Sequence, residues 1–211
     1  MHVKKFTFNP FQENTYVLHA AGEGIIVDPG CSDEDEQREL ERWLDKNEVR
    51  PTRLLLTHAH VDHVLGCAWL KRRYDLLPEV HRKDLFILQN AQVSGAMFGV
   101  NCEPVPAPKR FIEEGEIVKL GDEHLDVLFV PGHAPGHVAF YNPKQRFMLS
   151  GDVLFHRSIG RTDLPGGDMD TLLKSIREQL FPLGDDITVY SGHGQETTIG
   201  EEKRGNPFLR G

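Results

Sequence analysis

Four side chains of types that commonly bind metal ions lie within six residues of one another: His58, His60, Asp62 and His63. They follow residues 54–56, three leucines that we predict to form a short buried strand. Side chains at alternate positions of an extended segment point the same way, so His58, His60 and Asp62 can converge. Asp62 and His63 are neighbours and project differently, so the spacing suits two adjacent metal ions. Imidazole and carboxylate ligands are typical of zinc, iron and manganese.

Three more residues of the same types follow later predicted strands, each beside a glycine: His133, Asp152 and His193. Glycine lets the backbone turn sharply and approach a metal cluster closely. Three histidines and an aspartate in one short run have no packing or solubility rationale, so we predict that the chain binds metal. His137 and His156 are further candidates for residues that contact the ligands.

The predicted elements place these residues at the ends of strands. Short β-favouring stretches predict strands at residues 3–8, 15–19, 24–28, 54–56, 125–130, 138–141, 147–149 and 187–190. Apolar residues at helical spacing predict helices at residues 33–47, 64–74, 83–91 and 169–180, with Ser32 as the N-cap of the first. Residues 95–109 contain three prolines and predict a loop. This order fits two packed sheets with helices outside better than an alternating parallel fold.

Composition narrows the class of protein. At 211 residues, 39% of them hydrophobic, the chain can bury a real core, and we expect one domain. Its 24 basic and 32 acidic residues give a net charge of −8, which disfavours nucleic acid as a partner. Three cysteines are too few for a disulfide framework, and the sequence shows neither a signal peptide nor an apolar run of about 18 residues. We therefore expect a cytoplasmic protein without a membrane partner.

The order of these motifs resembles the metallo-β-lactamase superfamily, over nearly the whole chain. Within that superfamily the sequence is similar to the small glyoxalase II-like, or hydroxyacylglutathione hydrolase-like, hydrolases. Besides the seven residues above, the motifs that carry this similarity are Asp28-Pro29-Gly30, Gly160-Arg161-Thr162-Asp163 and Asn206-Pro207-Phe208. The resemblance implies an α+β fold, an αββα sandwich of two mixed β-sheets flanked by helices, with two metal ions at the sheet edges.

The resemblance also implies which residues hold the metals. One ion would take His58, His60 and His133; the other would take Asp62, His63 and His193; and Asp152 would bridge the two. The cofactors would be two divalent ions, zinc first, with iron or manganese as alternatives.

The implied activity is hydrolysis of a small-molecule thioester such as S-lactoylglutathione by a metal-bridging hydroxide. Asp62 would orient the hydroxide and pass a proton, so Asp62 and Asp152 are the candidate catalytic residues. A thiolate leaves without strong general-acid help, which favours thioesters over amides.

Other activities in the superfamily remain alternatives. Persulfide dioxygenases resemble this sequence and hold one iron through residues equivalent to His58, His133 and Asp152, so metal number is the discriminator. Lactonase activity and a non-catalytic metal-binding domain are also open. Typical zinc β-lactamases lack a histidine at position 63 and have cysteine where Asp152 stands, which argues against that activity. The nuclease branches are disfavoured by the acidic charge.

The length of the chain bears on how a substrate could be held. Larger glyoxalase II enzymes carry a C-terminal helical domain that helps to hold glutathione, whereas about eighteen residues follow His193 here. We therefore predict a single domain over residues 1–211 without that helical domain. Arg161, Lys203 and Arg204 are candidates for meeting an anionic substrate, and a solvated surface position is the alternative for each.

Overall fold

A computed structural model describes residues 1–210 of the chain. The strands in this range are β1 (His2–Phe8), β2 (Glu13–Ala20), β3 (Glu23–Val27), β4 (Arg50–Leu55), β5 (Pro78–His81), β6 (Arg110–Ile112), β7 (Ile117–Leu120), β8 (Glu123–Phe129), β9 (Val138–Asn142), β10 (Phe147–Gly151), β11 (Leu154–Phe155), β12 (Ser158–Ile159), β13 (Thr188–Ser191) and β14 (Thr197–Thr198). The α-helices are α1 (Glu34–Lys46), α2 (Cys67–Tyr74), α3 (Leu85–Gln89), α4 (Ala91–Phe98), α5 (Met169–Ser175) and α6 (Ile199–Gly205).

The strands form two six-stranded sheets and one small hairpin, β11–β12. The first sheet has the order β1-β2-β3-β4-β5-β6, antiparallel from β1 to β3 and parallel from β3 to β6. The second has the order β14-β13-β10-β9-β8-β7, in which β10 and β13 run parallel and the other pairs antiparallel. Both sheets are therefore mixed, as the sequence predicts.

Alternation along the strands divides the core into three layers. In β3, Ile25 and Val27 point into the cluster between the two sheets, whereas Ile26 packs with the helices on the outer side. Successive side chains of a strand point to opposite faces, so one strand supplies both layers. The third layer lies outside the second sheet, where Met148 of β10 packs with Leu172 of α5. The αββα sandwich of the α+β class is confirmed.

Helix α1 shows how local sequence fixes one of the flanking helices. Leu40 and Leu44 are four residues apart and fully buried, so one face of the helix packs on the first sheet. The predicted N-cap is wrong by one residue: the Asp33 carboxylate accepts the backbone N–H groups of Asp35 and Glu36, at 2.9 and 3.0 Å. Ser32 is not free for that role because its hydroxyl donates to Glu36, at 2.9 Å.

The segment between α2 and the second sheet departs most from the prediction. The helix predicted at residues 83–91 is a 3₁₀ turn, Arg82–Asp84, followed by α3, and Asn90 separates α3 from α4. Helix α4 extends to Phe98, so the first four residues of the predicted 95–109 loop are helical. Strands β5 and β6 were not predicted, because each is short and takes its order from parallel pairing with a distant strand.

In the second half, the predicted 169–180 helix is α-helical through Ser175 and continues as a π-turn, Ile176–Leu180. Its apolar face is confirmed, since Leu172, Ile176 and Leu180 are all fully buried. Helix α6 was not predicted. No helix in residues 1–210 has the length and apolar character that crossing a bilayer requires.

Candidate metal centre

Three histidine nitrogens meet where the segments after β4 and β8 come together. His133 Nε2 lies 2.8 Å from His60 Nδ1 and 3.2 Å from His58 Nε2. His58 and His133 are buried, and His60 and His133 also line a cavity open to solvent. Imidazole nitrogens this close together have the arrangement in which three histidines share one metal ion.

A second group forms beside the first from the segments after β4 and β13. His193 Nε2 lies 3.1 Å from Asp62 Oδ2, and His63 Nε2 lies 3.6 Å from the same oxygen. Because Asp62 and His63 are adjacent at a 3₁₀ turn, both side chains reach this group while His58 and His60 reach the other. One short run therefore serves two neighbouring groups, as its spacing predicts.

Asp152 lies between the two groups. Its Oδ2 is 3.6 Å from His133 Nε2 in the first group and 3.5 Å from His193 Nε2 in the second. Its Oδ1 is 3.5 Å from His63 Nε2. The structure thus brings all seven predicted ligands together, with Asp152 at the position expected of a bridge. Glycine is required beside it, because a Cβ at Gly192 would lie 2.1 Å from Asp152 Oδ1.

The second nitrogen of several histidines is held in place. Nδ1 of His133 is 2.7 Å from the carbonyl oxygen of Arg161, and Nδ1 of His193 is 3.1 Å from that of Phe11. A carbonyl can only accept, so Nδ1 carries a proton in each ring, which leaves Nε2 as the nitrogen that faces the centre. Such contacts fix both the tautomer and the orientation of a metal ligand.

Asp28, in the turn after β3, positions residues 57–63 by accepting hydrogen bonds from Thr57. Its Oδ1 accepts the backbone N–H of Thr57 at 2.7 Å, and its Oδ2 accepts the Thr57 hydroxyl at 2.6 Å. The same Oδ2 lies 3.2 Å from His63 Nδ1. Asp28 has a φ of 50°, an uncommon value for a residue with a side chain, and such strain is concentrated at functional sites. The sequence marks this residue only through the Asp-Pro-Gly motif.

Two further residues brace the ligand loops. His137, a candidate from the sequence, accepts the Asp152 backbone N–H at Nε2, at 3.1 Å, and stacks on the His58 ring with centroids 4.7 Å apart. Asp84 was missed; its buried carboxylate accepts the backbone N–H of Ala59 at 3.0 Å and that of Gly136. Asp84 thereby joins the two loops that carry His58, His60 and His133. It lies outside any motif, so the sequence offers no signal for it.

The two groups differ in electrostatics. Burial, together with the neighbouring imidazoles, lowers the pKa of His58 far below its usual value, and burial lowers the pKa of His60 to about 3. In the second group burial also favours neutral rings, but the carboxylates of Asp152 and Asp62 prevail and raise the pKa of His193 to about 10. Neutral imidazoles with free lone pairs fill one group, and a pair of carboxylates gives the other a negative potential. Both conditions favour a bound cation.

The residues present fit metal ions. Among the described residues, His63 Nε2 and Asp152 Oδ1 are buried polar atoms with no hydrogen-bond partner. Leaving such atoms unpaired is costly, and a cation between them would satisfy both. The histidine and carboxylate donors suit divalent ions of the zinc, iron and manganese type. The structure therefore supports metal binding at this centre without selecting the element.

Of the three residues predicted to contact an anionic substrate, only Arg161 lines the cavity. Arg161 reaches the rim of the cavity, but its guanidinium donates to both carboxylate oxygens of Asp163, at 2.7 Å each. Lys203 and Arg204 lie on α6 beside Asp185 and do not line the cavity. The prediction that these two meet an anionic substrate there is not supported. The three cysteines, at positions 31, 67 and 102, are buried and free.

Comparison with known proteins identifies the family of this chain. The sequence model of the metallo-beta-lactamase superfamily matches residues 8–193. Hydroxyacylglutathione hydrolase GloC of Haemophilus influenzae is 38% identical over 212 residues, covering 99% of this chain and 98% of GloC. Among solved structures, BLEG-1 B3 metallo-beta-lactamase is 36% identical with a TM-score of 0.91 and full coverage of both chains. TTHA1623 in a di-iron-bound form is 40% identical with a TM-score of 0.89, covering 98% of this chain and all of that one. The chain belongs to the metallo-β-lactamase superfamily and is one of its metallohydrolases.

Proposed function

We propose that this metallohydrolase cleaves small-molecule thioesters such as S-lactoylglutathione, using two divalent metal ions. The observation that carries the proposal is the position of Asp152, within 3.6 Å of nitrogens from both groups of ligands. GloC, which is named as a hydroxyacylglutathione hydrolase, supports the substrate class through identity along the whole chain. TTHA1623, described in a di-iron-bound form, supports a centre with two metals.

Each ligand has a defined place in this proposal. His58, His60 and His133 would hold one ion, Asp62, His63 and His193 would hold the other, and Asp152 lies between the two groups. Bound divalent ions would supply an activated water at neutral pH and would polarise the thioester carbonyl. Zinc is the first expectation for the element, with iron or manganese as alternatives. We also propose that residues 1–211 act as one domain, which binds the substrate.

The protein's own contribution to the reaction rests on Asp62 and on the fixed histidines. Asp62 lines the floor of the cavity, where it is positioned to orient the attacking water and to take its proton. Water oxygen bonds to the carbonyl carbon, the carbon–sulfur bond breaks, and a carboxylic acid and a thiol are released. The thiolate is a good leaving group, so the geometry needs no strong general acid opposite Asp62.

The test combines metal analysis of the purified protein with an S-lactoylglutathione hydrolysis assay. We expect two metals per chain and turnover in the wild type, and loss of hydrolysis together with lower metal content in Asp152→Ala. The control is Asp122→Ala, which removes an exposed carboxylate from a turn of the second sheet and should change neither quantity. Two metals per chain without thioester turnover would contradict the substrate class.

A second candidate is β-lactam hydrolysis, because BLEG-1, described as a B3 metallo-beta-lactamase, matches this chain along its whole length. The amide nitrogen of a β-lactam is a poorer leaving group than a thiolate, which favours the thioester. A chromogenic cephalosporin in the same assay separates the two: faster turnover than of any thioester would favour the lactamase. A simple lactone in the same assay tests lactonase activity. One iron per chain with persulfide-dependent oxygen uptake would instead favour a dioxygenase.

A further inference from the structure

The ligands form the floor of a large cavity with apolar walls. Its volume is about 780 Å³, within the range of about 300–1,000 Å³ typical of small-molecule sites. Asp62, Asp152 and three of the histidine ligands lie at its base. The walls are made mainly by the aromatic and aliphatic side chains of Phe11, Phe86, Ile87, Met97, Phe98 and Phe155. A substrate that reaches the metal centre must therefore cross or occupy apolar surface.

Helices α3 and α4 hold part of this wall open to solvent. Phe86 is 68% exposed and Met97 is 79% exposed, although large apolar side chains are normally covered. Phe98 packs edge-to-face against Phe11 of the β1–β2 connection, with ring centroids 6.1 Å apart. The wall is thus a built surface from two separate segments, continuous with the reaction centre. Contiguous apolar surface of this kind marks a binding site.

The charges around the cavity argue against an anionic ligand. Among the described residues that line it, Arg161 is the only arginine or lysine, and Asp163 already pairs with its guanidinium. A glutathione-like thiol carries two carboxylates, which are recognised by free arginine or lysine side chains. The cavity offers none, so little of the binding energy can come from such a group.

We propose that the preferred substrates are thioesters with a long apolar acyl chain, which lies along the Phe86, Met97 and Phe98 wall. This inference rests on the proposed thioester hydrolysis and names the substrate class. We assign the apolar hydrocarbon chain to the acyl half of the thioester because common thiol carriers are themselves polar or charged. The wall contributes binding energy in proportion to the apolar area that the chain removes from water.

The experiment measures kcat/KM for S-acyl-N-acetylcysteamine thioesters with acyl chains from acetyl to octanoyl, by release of the thiol. The thiol half is small and uncharged in every member, so only the chain length changes. We expect kcat/KM to rise about threefold for each added methylene between butanoyl and octanoyl, somewhat below the roughly fourfold of full burial. S-lactoylglutathione, assayed beside them, should be turned over more slowly than the octanoyl thioester.

A double variant tests the wall itself. Phe86→Ser with Met97→Ser removes two largely exposed side chains, so the fold should tolerate it, and we expect the octanoyl-to-butanoyl ratio of kcat/KM to fall about tenfold. The matched control is Val93→Ser, which removes a 60%-exposed apolar side chain of α4, the helix of Met97, and does not alter the lining of the cavity. Its ratio should equal that of the wild type.

Three results would overturn the inference, and they can be told apart. Turnover that is independent of chain length, or fastest with S-lactoylglutathione, overturns the apolar substrate class and leaves thioester hydrolysis standing. No turnover of any thioester by the metal-loaded protein overturns both. If the double variant keeps the wild-type ratio but converts a dimer into monomers in sedimentation velocity, the wall is an interface between copies of the chain.

Discussion

Asp84 shows how one buried carboxylate can hold a metal centre without touching it. Its side chain accepts two backbone N–H groups, from Ala59 in one ligand loop and Gly136 in the other. In Asp84→Asn the amide NH₂ must face one of these donors. We expect the free energy of unfolding at pH 7 to fall by about 1–3 kcal/mol, measured by urea denaturation of the metal-free protein. Metal affinity should fall too, since Ala59 lies between His58 and His60.

The control for this variant is Asp122→Asn, which changes an exposed aspartate and should shift the free energy by less than about 0.5 kcal/mol. Equal stabilities of wild type and Asp84→Asn, together with equal metal affinities, would contradict any role for the two backbone hydrogen bonds. Unchanged stability of the fold with weaker metal binding would instead confine the role of Asp84 to the two loops.

The pH dependence of this difference follows from the same burial. Burial raises the pKa of Asp84 from 3.8 to about 6, so between these values the folded state binds the proton more tightly than the unfolded state. This stabilising contribution is complete below about pH 4 and is lost as the pH rises through 6. Asparagine does not titrate, so the advantage of wild type over Asp84→Asn should shrink by up to about 3 kcal/mol between pH 4 and 7. Urea denaturation at several pH values measures it; a constant difference would contradict the pKa.

At the scale of residues, the sequence predicts the metal ligands but misses most of the residues that hold the ligand loops in place, such as Asp84. His58, His60, Asp62 and His63 are visible because their types are dense and regularly spaced, and this is independent of the rest of the fold. Asp84 has no such spacing. Its partners are backbone groups of loops that come near it only when the sheets assemble, so no local pattern reports it.

At the scale of elements, Gly132 joins a ligand to a helix. It has a φ of +131°, and a Cβ there would lie 2.3 Å from the backbone nitrogen of Leu172 in α5. Gly99 is the matched control: it has a φ of +74° but no atom of the described chain within 4 Å of the added carbon. Gly99→Ala places alanine near the left-handed region, at a cost of about 1–2 kcal/mol, whereas the φ of Gly132 lies outside that region and costs alanine more. Only Gly132→Ala must also displace α5.

We therefore expect Gly132→Ala to lower the free energy of unfolding by about 1–3 kcal/mol more than Gly99→Ala, in urea denaturation. It should also weaken metal binding, because His133 follows directly. Equal losses in the two variants would show that α5 moves without cost and that position 132 accepts alanine as readily as position 99.

Elements with their own capping or periodicity were predictable, and those defined by distant partners were not. Helix α1 has acidic residues in its first turn and a four-residue apolar repeat, and its bounds differ from the prediction by one residue at each end. Strand β5 has four residues and begins with a proline. Its place in the sheet comes from parallel pairing with β4 and β6, which lie far along the chain on either side. Local propensity cannot supply that information.

At the scale of the whole molecule, the centre exists only where both sheets meet. The first sheet contributes the four ligands that follow β4, and the second contributes His133, Asp152 and His193. The resemblance to the metallo-β-lactamase superfamily implies this arrangement, with two metal ions at the sheet edges. The cavity walls were not predicted, since residues 95–98 of α4 were expected to belong to a loop and their apolar side chains were assigned to no surface.

Because neither sheet holds a complete ligand group, bound metal should tie the two halves of the sandwich together. Metal binds the folded centre and finds no such arrangement in the unfolded chain, so it stabilises the fold by mass action, about 2.7 kcal/mol at a free metal concentration of 100 Kd. For a chain of this size we expect chelation to lower Tm by about 5–10 °C in a thermal scan. Asp152→Ala should lose most of this dependence, because Asp152 contacts both groups, and Asp122→Ala should keep it. A Tm that changes neither with chelator nor with added zinc would mean that the sheets hold the ligands in place without any ion between them.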